Sequence, residues 1–319
     1  MSRSRLLIVG CGDVGMRVVR ALHGPVDQGR LGSPERATSN RLRVLALTSS
    51  PQRCASLRAA GVRPVLGDLD DASSLRRLAG LADAVLYLAP PPGSGDSDPR
   101  LRALLRALSL RSLPERFVYA STTGVYGDCR GEWVSETRPV NPGTDRARRR
   151  VDAEAQLRAW GRVAGVRVSV LRIPGIYAAD RAGGRPQDRV LRGTPSLRPE
   201  DDGVTNHIHA DDLARACIAA LWRGRAQRVV QVCDDSDMKT GDYYDLVADL
   251  SGLPRPARVA RADAGAHFSA AQWSFLNESR RLSNARMKTE LRLRLRYPTV
   301  RECLLEEART APDGAAAAA

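Results

Sequence analysis

Apolar runs and helix-period segments alternate along the first two thirds of the chain. Residues 6–9 form an unbroken apolar run, and after a glycine-rich turn the segment 16–22 reads as a helix. The pair returns as a strand at 44–48 with a helix at 51–60, then as a strand at 64–66 with a helix at 71–78. Segments 84–89, 117–120 and 167–173 complete the predicted strands. Strands that lack polar alternation are buried on both sides, so this pattern predicts a parallel sheet with helices on each face. Residues 24–43 are polar and rich in glycine and proline, longer than an ordinary connection, and are expected to be an exposed insertion. A second breaker-rich segment spans 90–99. After Pro174 the alternation fades into a mixed region running to about residue 305, and the alanine tail at 315–319 is expected to fray.

The first turn carries chemistry. Between strand and helix the chain reads LLIVGCGDVGMRVV, which places Gly10, Gly12 and Gly15 in the spacing of a dinucleotide turn. Gly10 supplies the backbone angles, Gly12 lets the main chain approach a diphosphate, and Gly15 lets helix and strand pack closely. Gly10, Cys11, Gly12, Asp13, Val14 and Gly15 are therefore expected to hold the pyrophosphate at a helix N-terminus. The expected fold is α/β, a Rossmann-type doubly wound parallel sheet with a small C-terminal substrate-binding lobe. A site for NAD usually ends its second strand with a carboxylate that accepts from the ribose hydroxyls. Here the strand ends in Thr48 and Ser49, and Arg53 follows. Hydroxyls and a guanidinium suit a 2′-phosphate, so NADP is expected over NAD, which stays the alternative.

Composition narrows the remaining classes. No apolar stretch in the 319 residues approaches the roughly 20 needed to cross a bilayer. The opening MSRSRLLIVG has no cleavable signal pattern, so a cytoplasmic protein without a membrane partner is expected. Six scattered cysteines without a CxxC favour buried or unpaired thiols over disulfides. His207 and His209 share a strand face but lack an evident third ligand, so no metal is expected. A net charge of +14 suggests nucleic acid. Against that, the arginines spread along the whole chain, and no aromatic-basic run offers a stacking platform. No specific nucleic-acid partner is expected.

Further motifs follow in order. Gly67-Asp68-Leu69 comes after the third strand, Tyr87-Leu88-Ala89-Pro90 ends the fourth, and the run from Ser121 through Thr122 and Tyr126 to Asp128 ends the fifth. Arg172-Ile173-Pro174-Gly175-Ile176-Tyr177 closes the sixth, and Asn206-His207-Ile208-His209-Ala210-Asp211-Asp212 comes later. Together the set resembles the extended short-chain dehydrogenase/reductase superfamily, in its NAD-dependent epimerase/dehydratase branch. The turn is most similar to that of atypical members. The resemblance covers roughly residues 5–225. It implies that Asp68 and Leu69 lie beside the adenine, Leu88, Ala89 and Pro90 against the riboses, and Pro174 and Ile176 beside the nicotinamide. It also implies a catalytic Thr122 and a pocket-lining Tyr126. Asp211 or Asp212 is expected to be a helix N-cap.

One departure matters. The family's proton-transfer pair is Tyr-x-x-x-Lys on a helix, usually with Glu four residues later. Aligned on Glu154, the Tyr position holds Arg146 and the Lys position Arg150. Arginine stays protonated, so Arg146 is no general base, although it could orient an anion or stabilise an alkoxide. Arg150 is left to hold the cofactor ribose or a phosphate. Two readings stay open. In the first, the protein is an NAD(P)-dependent oxidoreductase or epimerase/dehydratase-like enzyme acting on a small substrate such as a nucleotide sugar. Thr122 and Tyr126 would then handle the proton, with Tyr177 or a histidine behind them. In the second it is a non-catalytic NADP-binding sensor resembling NmrA-like proteins. By resemblance the Rossmann domain comprises 1–177 and 205–228, and the substrate lobe 178–204 and 229–305, with a flexible tail at 306–319. Arg181, Arg185, Arg189, Arg192 and Arg198 give the lobe positive charge suited to an anionic substrate. A homodimer formed by pairing two helices per subunit is the expected assembly.

Overall fold

A computed structural model describes residues 4–24 and 42–310. Seven strands form the central sheet: β1 (Arg5–Val9), β2 (Arg43–Thr48), β3 (Arg63–Leu66), β4 (Ala84–Tyr87), β5 (Arg116–Thr122), β6 (Arg167–Ile173) and β7 (Arg228–Gln231). Their order across the sheet is β7-β6-β5-β4-β1-β2-β3, and every pairing is parallel. The order reverses beside β1, which opens a crevice at the carboxyl ends of β1 and β4.

Period-two geometry divides the core. Leu6, Ile8, Val44, Ala46, Leu86 and Val118 face one side, against helices α1 (Asp13–His23) and α5 (Ala210–Arg223). Leu7, Val9, Leu45, Leu47, Val85 and Phe117 face the other. There they meet α3 (Pro99–Leu108) and α4 (Asp145–Ala164), while α2 (Arg53–Ala59) connects β2 to β3. Each buried Leu or Val side chain contributes about 1.5–3 kcal/mol, which is why neither face tolerates polar alternation. Helix α4 starts where the Thr144 hydroxyl accepts from the Ala147 amide at 3.2 Å, and it stops at Gly165 in the left-handed conformation (φ +68°).

The structure redraws three boundaries. Residues 71–78, expected as a helix, give only a short 3-10 turn at Ser74–Leu78. Strand β7 crosses the expected boundary at 228 and belongs to the central sheet. Residues 306–310, placed in a flexible tail from sequence, continue the helix α7 (Val300–Thr310), whose Cys303 and Leu304 pack with Tyr243 and Val247 of α6 (Thr240–Leu250). The insertion expected at 24–43 and the alanine tail lie largely outside the described residues. The six cysteines are free and buried, and no helix among the described residues is long and apolar enough to cross a membrane.

Candidate active site

The glycine turn is built for a close approach. Gly10 has φ +86°, and a Cβ there would stand 2.5 Å from the Ala89 amide nitrogen, so both conformation and space require glycine. Gly12 is the N-cap of α1, and no side chain caps the helix. A Cβ on Gly12 would meet nothing within 4 Å, so the space before the first-turn amides is open. Gly15 packs tightly, its added Cβ lying 3.3 Å from the Gly10 carbonyl oxygen. This cradle fits a dinucleotide diphosphate. Arg53 Nη2 donates to the Cys11 carbonyl at 2.6 Å, which anchors a guanidinium beside the turn. Thr48 is buried and its Oγ1 accepts from the Ser50 amide at 3.2 Å, while Ser49 and Asp68 are exposed. Leu69 and Leu88 are half-buried, Ala89 is buried behind Gly10, and Pro90 is exposed.

Past the ends of β5 and β6 lies a cavity of about 620 Å³, onto which Thr122, Arg146, Pro174 and Ile176 converge. Thr122 ends β5, and its Oγ1 accepts from the Gly124 amide at 3.2 Å, which fixes the hydroxyl at the mouth of the strand. Arg146 sits at the rim with its guanidinium 4.0 Å from the Phe275 ring centroid. Desolvation pulls its pKa down and Glu278 pushes the other way; a guanidinium stays charged through such a shift. Arg181, Arg185, Arg189 and Arg192 also line the cavity, and so does Arg280. The Arg280 Nη1 bonds Glu278 at 2.8 Å.

Several expected roles fall elsewhere. Tyr126 does not line this cavity. It is 1 % exposed, its hydroxyl accepts from Gln231 Nε2 at 2.8 Å, and the Arg172 guanidinium lies 4.7 Å from its ring centroid. Its packing is the reason: Val125, Cys129, Val134 and Leu282 close around it. Arg198 is exposed and is not among the residues lining the cavity. Neither Asp211 nor Asp212 caps α5. The cap is His209, whose Nδ1 accepts from the Asp211 amide at 3.1 Å, while the buried Asp212 accepts from the amides of Arg296 and Tyr297 at 2.9 and 2.8 Å. Arg150 Nη1 donates to the Tyr119 hydroxyl at 2.9 Å and to the Ala120 carbonyl at 2.7 Å, directly below the end of β5.

Sequence reasoning missed the far wall. Tyr243, Tyr244, Gln272, Phe275 and Glu278 reach the cavity from segments that carry no motif. His207 also lines it, its ring stacked on Tyr243 with centroids 4.1 Å apart. Burial lowers the His207 pKa to about 4. Its folded value lies below the unfolded value of about 6.5, so its contribution to stability is complete above that pH and is lost as pH falls toward about 4. Urea unfolding should show the parent protein losing about 2 kcal/mol more than His207→Gln on acidification from about pH 6.5 to about pH 5. Parallel profiles would contradict this.

Comparison with known proteins places these features. The model for the NAD dependent epimerase/dehydratase family matches residues 33–233, more than half of the chain. The chain belongs to the NAD dependent epimerase/dehydratase family. Protein YeeZ of Escherichia coli K12 is 27 % identical over 202 residues, covering 62 % of this chain and 68 % of YeeZ. A functionally unknown conserved protein from Silicibacter pomeroyi has a solved structure with 30 % identity and TM-score 0.75, covering 96 % of this chain and 100 % of that one. DesIV, a dTDP-glucose 4,6-dehydratase from Streptomyces venezuelae solved as a double mutant with NAD bound, shares 22 % identity at TM-score 0.71. That alignment covers 96 % of this chain and 97 % of DesIV. At that identity the likeness to DesIV is one of fold.

Proposed function

We propose that the protein is an NAD(P)-dependent oxidoreductase or epimerase/dehydratase-type enzyme acting on a small anionic substrate of the nucleotide-sugar kind, with NADP preferred over NAD. The carrying observation is the meeting of Thr122, Arg146, Pro174 and Ile176 on one arginine-rimmed cavity of about 620 Å³. That volume lies in the ordinary range of small-molecule sites, and its guanidiniums suit a diphosphate. The first-turn amides of α1 would hold the dinucleotide diphosphate, with Ala89 behind them and Pro174 and Ile176 beside the nicotinamide. A bound nicotinamide supplies a hydride donor or acceptor. Thr122 hydrogen-bonds the reacting oxygen, and Arg146 orients the anion or stabilises developing negative charge. Arg150 holds the Tyr119 hydroxyl and the end of β5, beneath the riboses. The preference for NADP rests on Thr48 and Ser49 where a carboxylate would repel a 2′-phosphate, and on Arg53 anchored at the turn.

Calorimetry with NADPH and NADH tests the cofactor, and absorbance assays with sugar nucleotides, aldehydes and ketones test turnover. Tighter binding of NADPH and oxidation on at least one substrate are expected; tighter NADH binding would overturn the preference. Thr122→Val should lower the rate about 100-fold with the dinucleotide Kd unchanged. A parent-like rate would remove Thr122 from the chemistry. Tight cofactor binding without turnover on any substrate would favour a sensor, the second reading. Arg146 in place of a base and the remote burial of Tyr126 lend it support.

A further inference from the structure

A chain of ion pairs lashes the start of α1 to the segment that follows Tyr177. Arg17, only 4 % exposed, donates Nε to Asp13 at 3.1 Å and Nη1 to Asp211 at 2.6 Å, and its Nη2 bonds Asp180. Burial works against the Arg17 charge, and the bonds to Asp180 and Asp211 with the nearby Asp13 outweigh it, so its pKa stands above the ordinary arginine value. Asp13 also takes a second guanidinium, that of Arg181. Two consecutive residues, Asp180 and Arg181, are thus tied to the first two turns of the helix that carries the glycine cradle.

Asp13 is the puzzling member. It is the first residue of α1, immediately after Gly12, and so belongs to the turn at which a diphosphate would reach the amides. A bare carboxylate there would repel that ligand. The Asp13, Asp180 and Asp211 carboxylates against Arg17 leave two negative charges in excess, and Arg181 reduces the excess to one. Neutralisation alone is a poor reason for keeping Asp13, because asparagine would avoid the charge altogether.

Position supplies a better reason. Arg181 lines the cavity together with Thr122, Gly175 and Ile176, yet its guanidinium is pinned at the N-terminus of α1. A dinucleotide with its diphosphate at Gly12 and its nicotinamide beside Pro174 and Ile176 must run between those two places. The Arg181 stem also has a seat, since a Cβ added to Gly184 would come within 2.5 Å of Arg181 Cδ. The bond to Asp13 occupies one of five N–H donors and leaves others for a phosphate oxygen. We propose that Asp13 holds Arg181 across the glycine turn as a clamp on the cofactor diphosphate, an assignment that rests on the dinucleotide reading given above. The clamp also ties cofactor capture to the cavity, because the same arginine lines both.

Calorimetry with NADPH and NADH on the parent, Arg181→Met, Arg181→Lys, Asp13→Asn and the Asp13→Asn/Arg181→Met double variant tests the clamp, with thermal melts to confirm folding. Arg181→Met should weaken dinucleotide binding about 10- to 100-fold, Arg181→Lys less, and the double variant should stay as weak as Arg181→Met. Asp13→Asn should weaken binding too, since the guanidinium loses its anchor. Recovery of parent affinity in the double variant would mean that Arg181 merely cancels Asp13, and the clamp would fall. Affinity within twofold of the parent in Arg181→Met and Arg181→Lys would equally sink it. A parent protein that binds neither nucleotide would overturn the dinucleotide reading and the clamp together, whereas unaffected variants of a binding parent overturn the clamp alone.

Discussion

Glu154→Ala is expected to destabilise the protein by about 3–5 kcal/mol, the cost of breaking a buried ion pair from one side. Glu154 is 5 % exposed on the inner face of α4. It takes Arg172 Nε at 3.1 Å and Nη2 at 2.7 Å, a two-point grip from β6, and accepts from the Ser121 hydroxyl on β5 at 2.5 Å. Removing the carboxylate leaves the Arg172 charge, itself 4 % exposed, buried without its partner. Glu154→Gln keeps an acceptor for Ser121 but loses the charge, so its cost should fall between parent and alanine. A Glu154→Leu/Arg172→Met pair should cost much less than Glu154→Ala, because apolar groups of similar volume leave no uncompensated charge. Urea unfolding of the set reads these differences directly. A Glu154→Ala midpoint matching that of the parent would mean that the pair carries no net stability. The link to function is positional, since Ser121 precedes Thr122 and α4 carries both Arg146 and Arg150.

This residue also marks the limit of what could be read from the sequence. Strands β1, β2, β4 and β5 were legible because burial on both faces forces nearly unbroken apolar runs. The partner helix α4 was far less legible, since Arg149 and Glu154 are buried while Arg148 is exposed, and charge no longer marks the solvent face. Strand β7, the four residues RVVQ, was not read from the sequence: it offers only two apolar positions, follows the faded alternation after Pro174, and pairs only along one edge with β6. At the site, Gly10 was legible because its backbone geometry leaves few alternatives to glycine, and Gly12 because a diphosphate approaching the helix mouth requires an open position at that spacing. Tyr126 was misplaced because a motif fixes a position along the chain but not what packs around it. The wall from Gln272 to Arg280 had no signal at all, for those residues meet Thr122 only once the chain folds back.

The two neighbouring glycines should part company when each is replaced by alanine. Gly12→Ala adds a methyl group to open space and should cost no more than about 1 kcal/mol, the difference between glycine and alanine at an N-cap. The same methyl group stands where a diphosphate must approach the helix amides, so dinucleotide affinity should drop about 100-fold, close to 2.7 kcal/mol. Gly10→Ala meets the opposite situation. Its φ of +86° strains an alanine backbone, and the new Cβ would press to 2.5 Å from the Ala89 nitrogen and 2.7 Å from its Cα, both main-chain atoms that cannot swing aside. Strain and overpacking together should cost about 4 kcal/mol. Melting curves and calorimetry on both variants decide the matter. Loss of binding in a stable Gly12→Ala protein locates the ligand at the helix mouth, because nothing in the folded chain itself touches that methyl group. Undiminished affinity in Gly12→Ala would mean that the open space before α1 is not where a dinucleotide sits, and a fully stable Gly10→Ala would mean that the contact with Ala89 relaxes at little cost.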